Sequence, residues 1–179
     1  MQTYMILSAI GPDRPGLVDE VTDFIYRHGG NVEDSRMAGM GGQFGIILLL
    51  SGDRAKVNTV ESDREQLQRE TGLTVITHWA EAPGAEPKAR AVPYQLKLFS
   101  LDHPGLLHRV AHLLRQFEIN IDSLESHAAP APTTGTMLFT MHMTITIPEK
   151  VKIHDLHEQI NRLADEINVQ ISLEPGIVS

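Results

Sequence analysis

The chain has 179 residues, 41% of them hydrophobic and 21% charged, a globular composition long enough to bury a core without staples. It contains no cysteine, which excludes disulfides, thiolate catalysis, iron–sulfur clusters and cysteine-ligated zinc. Fifteen Lys and Arg against 23 Asp and Glu leave a net charge of −8, the wrong sign for gripping a phosphate backbone, so no direct nucleic-acid binding is expected.

From the N-terminus, MQTYMILSAIGPDRPG lacks the basic start and long apolar core of a secretory signal, and no later run reaches the ~18 apolar residues of a membrane span. A soluble, cytoplasmic protein without membrane contact is the expectation. Strands are predicted near residues 3–10, 31–39, 43–51 and 73–80, with helices near 15–28 and 54–71. The glycines of GMGGQFG (39–45) read as a hairpin turn. They do not fit a dinucleotide loop, because the third required glycine falls on Phe44 and a strand follows. The run Ile46 to Leu50 is apolar at every position, and a strand apolar on both faces needs cover on both. Helices cover one face; the second domain or another chain is expected on the other.

Residues 81–92, rich in Ala and Pro, read as a linker between a first domain (1–80) and a second (93–179). In the second half, Tyr94, Leu96 and Leu98 alternate as in a half-buried strand. Leu106, Val110, Leu113, Leu114 and Phe117 then form one helical face, with Pro104 suited to the first helical turn. A strand over 119–127 and a loop AAPAPTTG lead to Met137, Phe139, Met141, Met143, Ile145 and Ile147 at period two, read as core. Ile153, Leu156, Ile160, Leu163 and Ile167 mark the last helix, and Asn168 to Leu173 the last strand. Each half is therefore βαββαβ, and the predicted fold class is α+β, two ferredoxin-like domains in tandem.

The halves are also a sequence repeat. A shift of 89 residues lays Leu7, Asp13, Pro15, Gly16, Leu17, Val21 and Asn31 on Leu96, Asp102, Pro104, Gly105, Leu106, Val110 and Asn120 without a gap. Residues 1–80 carry 11 acids and 7 bases, and residues 91–179 carry 10 and 6, so charge divides evenly. GPDRPGL (11–17) and LDHPGL (101–106) each end a strand and open a helix. Unpaired N–H groups and a partial positive charge at a helix start suit a carboxylate or phosphate. Asp13 or Asp102 could cap those groups in the empty state or receive an ammonium. Asp, Pro and Gly also build ordinary turns, and one copy would mean no more than that. Two copies at equal places, each followed by Asn at the same distance, favour a site.

The DxPGL loop before helix one, followed by Asn with Val or Ile at the start of strand two, resembles the ACT domain, a small regulatory module that senses amino acids. The resemblance covers nearly the whole chain as two copies with no attached enzyme. It implies ligands held between ACT domains, by the loop of one and the start of strand two of a neighbour. The residues so implicated are Asp13, Arg14, Gly16, Leu17 and Asn31, and Asp102, His103, Gly105, Leu106 and Asn120. Arg14 and His103 hold the same loop position with different chemistry, so the two sites need not take the same ligand. The implied function is a non-enzymatic sensor of a small amino acid, glycine or serine, acting on a transcription regulator protein of glycine or one-carbon metabolism, with homo-oligomerisation left open. A ligand-independent partner-binding module is the alternative. No cofactor is expected. No metal is expected either: His108 and His112 have zinc-clamp spacing but lie off the apolar stripe, and the near-motif at His154, His157 and Glu158 fails at Asn161.

Overall fold

The computed structural model describes residues 2–83 and 91–176, which form two separate units. The first contains β1 (Gln2–Pro12), α1 (Leu17–Arg27), β2 (Asn31–Met40), β3 (Gln43–Asp53), α2 (Arg54–Ser62), α3 (Arg64–Thr71) and β4 (Thr74–Ala80). The second contains β5 (Ala91–Leu101), α4 (Leu106–Gln116), β6 (Asn120–Pro130), β7 (Met137–Pro148), α5 (Ile153–Ile167) and β8 (Gln170–Pro175). Each has a four-stranded sheet, in the order β2-β3-β1-β4 and β6-β7-β5-β8, and every pairing is antiparallel. Most of the expected linker, residues 84–90, lies outside the described residues, and β5 begins two residues ahead of the expected domain start.

One helical stripe and alternate strand positions build each core. Leu17, Val21, Phe24 and Ile25 of α1 are buried against Met5, Leu7, Leu48 and Leu50. Val110, Leu113 and Leu114 of α4 do the same against Leu96, Leu98, Met141 and Ile145. Each such side chain contributes about 1.5–3 kcal/mol relative to exposure. Val57, Val60 and Leu67 close the first core, and Leu156 and Ile160 the second.

Several local expectations are corrected. The helix over 54–71 is two helices, because Asp63 leaves helical geometry (φ −95°, ψ 9°) and turns its carboxylate to His28 at 3.0 Å. Pro15 and Pro104 precede their helices: Gly16 and Gly105 adopt left-handed geometry (φ +95° and +91°), so helical backbone starts only after them. The strand expected over 119–127 runs on to Pro130, since Ala128, Ala129 and Pro130 pair with β7. The last strand starts at Gln170 because Asn168 is the left-handed C-cap of α5. Met141 and Met143 are core, whereas Met137 at the strand end is 44% exposed.

The apolar run of β3 is covered on one face only within its unit. Phe44, Ile46, Leu48 and Leu50 point under the helices, while Ile47 is 53% exposed on the opposite face beside Ile10 and Ile76. The second sheet places Lys97, His142 and Glu125 on its corresponding face. The alternation rule is obeyed in both; only the chemistry of the open face differs.

Candidate functional site

In each repeat the chain leaves the central strand, crosses a short turn and starts a helix with glycine as its N-cap. Left-handed backbone is what lets the turn reverse so tightly, and glycine adopts it without a Cβ clash. Neither helix start carries a side-chain cap. Asp13 and Asp102 are therefore not caps. The Asp13 N–H donates to the Gly42 carbonyl at 3.0 Å and its carboxylate lies beside Gly39, while the Asp102 N–H donates to the Met137 carbonyl at 2.9 Å. The backbone N–H groups of the first turn are left facing outward, since the first helical bonds are Glu20 to Gly16 and Arg109 to Gly105.

Asp13, Arg14, Gly16 and Leu17, with Met37 and Phe44 behind them, line an open hollow of about 590 Å³. Asp102, His103, Gly105 and Leu106, with Phe139 behind, line its counterpart of about 520 Å³. The hollows differ at their cation. Arg14 is locked in a two-pronged ion pair with Glu20, at 2.5 and 2.6 Å. Hydrogen bonding from Arg14 holds the Glu20 carboxyl below its ordinary value, and the same bond raises Arg14. In the second repeat Arg109 replaces Glu20 and turns away to Glu166 at 2.6 Å. The His103 ring is left with only the Pro104 carbonyl, at 3.4 Å.

Asn31 and Asn120 do not join these hollows within their own units. Asn31 pairs with Ser51 at one end of β3, while Pro12, which leads into the loop, pairs with Gln43 at the other. Eight residues of strand separate them, about 27 Å at roughly 3.4 Å per residue. Asn120 and Leu101 are set apart in the same way along β7, opposite Thr146 and Leu138.

Around each Asn stands a device that inspection of the motif missed. The register slips between Val32 and Asp34, and between Ile121 and Ser123, so Glu33 and Asp122 are the extra residues of two equivalent β-bulges. Glu33 accepts hydrogen bonds from the Asn31 amide at 3.0 Å and from the Ser51 hydroxyl. Asp122 accepts from the Asn120 amide at 2.8 Å and from the Thr146 hydroxyl at 2.5 Å. Those two bonds, Ser51 first, lower the Glu33 pKa. The acid fixes each Asn by its NH₂ and leaves the Asn carbonyl as the free acceptor. Glu33 and Asp122 are themselves 89 residues apart, which was the available signal.

His108 and His112 are exposed, with ring centroids 5.9 Å apart, and no third ligating side chain joins them among the described residues. Among those residues no helix is long and apolar enough to cross a membrane.

Comparison with known families decides the assignment: ACT-domain models match residues 3–78 and again 94–152. The chain belongs to the ACT-domain family. As a tandem ACT protein it is similar to the "Glycine cleavage system transcriptional repressor" of Escherichia coli (strain K12), with 29% identity over 96% of this chain and 90% of that protein. Among solved structures it is similar to an unknown protein from Galdieria sulphuraria (TM-score 0.86, 27% identity, 99% of this chain and 100% of that one). It also shares its fold with a putative glycine cleavage system transcriptional repressor (TM-score 0.71, 24% identity, 97% of each chain).

Proposed function

We propose that this tandem ACT protein is a non-enzymatic regulator that senses a small amino acid, glycine or serine, and acts by contact with a transcription regulator of glycine cleavage. The observation that carries the reading is the pair of uncapped helix starts in two ACT domains. Each offers free N–H groups and the positive end of a helix dipole to a carboxylate. Likeness to the glycine cleavage repressor supports the pathway, and the net charge of −8 favours protein contact over DNA contact.

The ligand carboxylate would sit on the N–H groups of Gly16 and Leu17, or of Gly105 and Leu106. Its ammonium would be received by Asp13 or Asp102 and by the Asn carbonyl at the start of strand two of a neighbouring ACT domain. An Asn about 27 Å from its own loop is a natural contributor to another domain's site and not to its own. Binding would bias one domain arrangement over another by its differential affinity, a coupling of about 1–3 kcal/mol.

Calorimetry of the full chain against glycine, serine and the other amino acids tests the reading. Saturable binding of a small amino acid that weakens in an Asn31→Ala, Asn120→Ala double variant is expected. No binding by any amino acid would leave the ligand-independent partner module as the function. Equal binding by the double variant would place the site elsewhere.

A further inference from the structure

Superposing the two repeats brings opposite chemistry to the same exposed face of helix one. Along α1 that face presents Val18, Asp19, Thr22, Asp23 and Tyr26. Along α4 the equivalent positions are Leu107, His108, Ala111, His112 and Arg115. Both faces are largely solvent-exposed in their units, including the apolar Val18 (41%) and Leu107 (37%). Two carboxylates in one repeat have become two imidazoles in the other, and a tyrosine has become an arginine.

Neighbouring charges sharpen the contrast. On α1, Glu20 is paired with Arg14, and Asp23 shares Arg27, which also lies 3.7 Å from Glu70. Asp19 has no ion-pair partner among the described residues. On α4, Arg109 is paired with Glu166, and Arg162 of α5 lines the groove beside His108 and His112. Arg115 has no ion-pair partner among the described residues. An acidic helix face in one half thus corresponds to a basic, hydrogen-bond-donating face in the other, on a chain whose halves carry nearly equal net charge.

We propose that these two faces are a docking surface for a second copy of the chain, α1 of each protomer lying on α4 of the other about a two-fold axis. An antiparallel crossing pairs Asp19 with His112 and Asp23 with His108, because the numbering advances in opposite directions along the two helices. An imidazole N–H donates to a carboxylate in either protonation state. A single pair of three-turn helices covers only a few hundred Å², below the roughly 1,000 Å² of a specific interface. The two-fold makes the contact twice, and a chain carrying both faces is self-complementary under that operation. This interface does not depend on any amino-acid ligand.

Sedimentation velocity on the full chain without ligand tests it, using two charge-reversed variants, Asp19→Lys/Asp23→Lys and His108→Glu/His112→Glu. All four positions are exposed, so circular dichroism should report native folding; if either double variant misfolds, Asp19→Lys and His112→Glu singly serve instead. The wild type is expected to dimerise, and each variant alone to associate at least tenfold more weakly. Mixed in equal amounts, the two variants should dimerise again, because the new basic α1 meets the new acidic α4 while the native faces meet each other. A wild type that stays monomeric, variants that dimerise like it, or a mixture that fails to recover would each overturn the proposal. The last result, with a monomeric wild type, is what docking within one chain would give.

Discussion

Arg14 and Glu20 are joined by two hydrogen bonds of 2.5 and 2.6 Å across the mouth of the first hollow, and the second hollow has no such pair. A ligand carboxylate entering the first site meets a guanidinium whose donors are already taken by Glu20. Glu20→Gln should therefore strengthen amino-acid binding at the first site several-fold while leaving the second site unchanged. Calorimetry resolving two sites in the wild type and the variant checks this, and unchanged affinities would mean that Arg14 does not face the ligand.

Gly105 stands at φ +91° with open space where a Cβ would project, so a substitution there tests backbone strain without a clash. Gly105→Ala should cost about 1 kcal/mol, the penalty of left-handed backbone for a residue with a side chain. Urea denaturation measures it, with a lowered midpoint and an unchanged slope as the expected outcome.

Leu48 and Ile47 are neighbours in β3 with opposite fates, 1% and 53% exposed. Leu48→Ala should lose about 2–5 kcal/mol through lost transfer energy and the cavity left behind. Ile47→Asp should leave the first unit folded, with a cooperative melt near that of the wild type. A collapse of the melt in Ile47→Asp would show that the open sheet face is covered by something the unit itself does not supply.

The Glu33 carboxyl is held below its ordinary value by the Ser51 hydroxyl and the Asn31 amide. A depressed folded-state pKa gives stability that is fully present above the unfolded value, near 4.5, and is lost as pH falls through the folded value. The stability gap between wild type and Glu33→Gln should therefore be constant at neutral pH and shrink below about pH 4. Denaturation curves at a series of acidic pH values read this; a gap that widens on acidification would contradict the sign.

Net charge of −8 predicts that the isolated protein does not bind duplex DNA at physiological salt. A gel shift with the protein alone should show no complex, and micromolar, salt-sensitive binding would place its regulatory action directly on DNA.

Repeat, periodicity and turn chemistry were local properties, so the sequence by itself determined two βαββαβ units, their core stripes and the loops that hold Asp13 to Leu17 and Asp102 to Leu106. Those features depend on residues a few positions apart, where side-chain spacing and glycine's backbone freedom are decisive. Tertiary structure decided what depends on register. It set Asn31 and Asn120 at the far ends of their sheets from the loops, turned Glu33 and Asp122 into bulges, and left Ile47 open while Leu48 was buried. It also broke the second helix at Asp63, because a carboxylate placed within reach of His28 took a partner outside the helix. Strand pairing brings together residues far apart in the chain, and a slip of one residue exchanges the two faces of a sheet, so no local pattern could have placed these side chains.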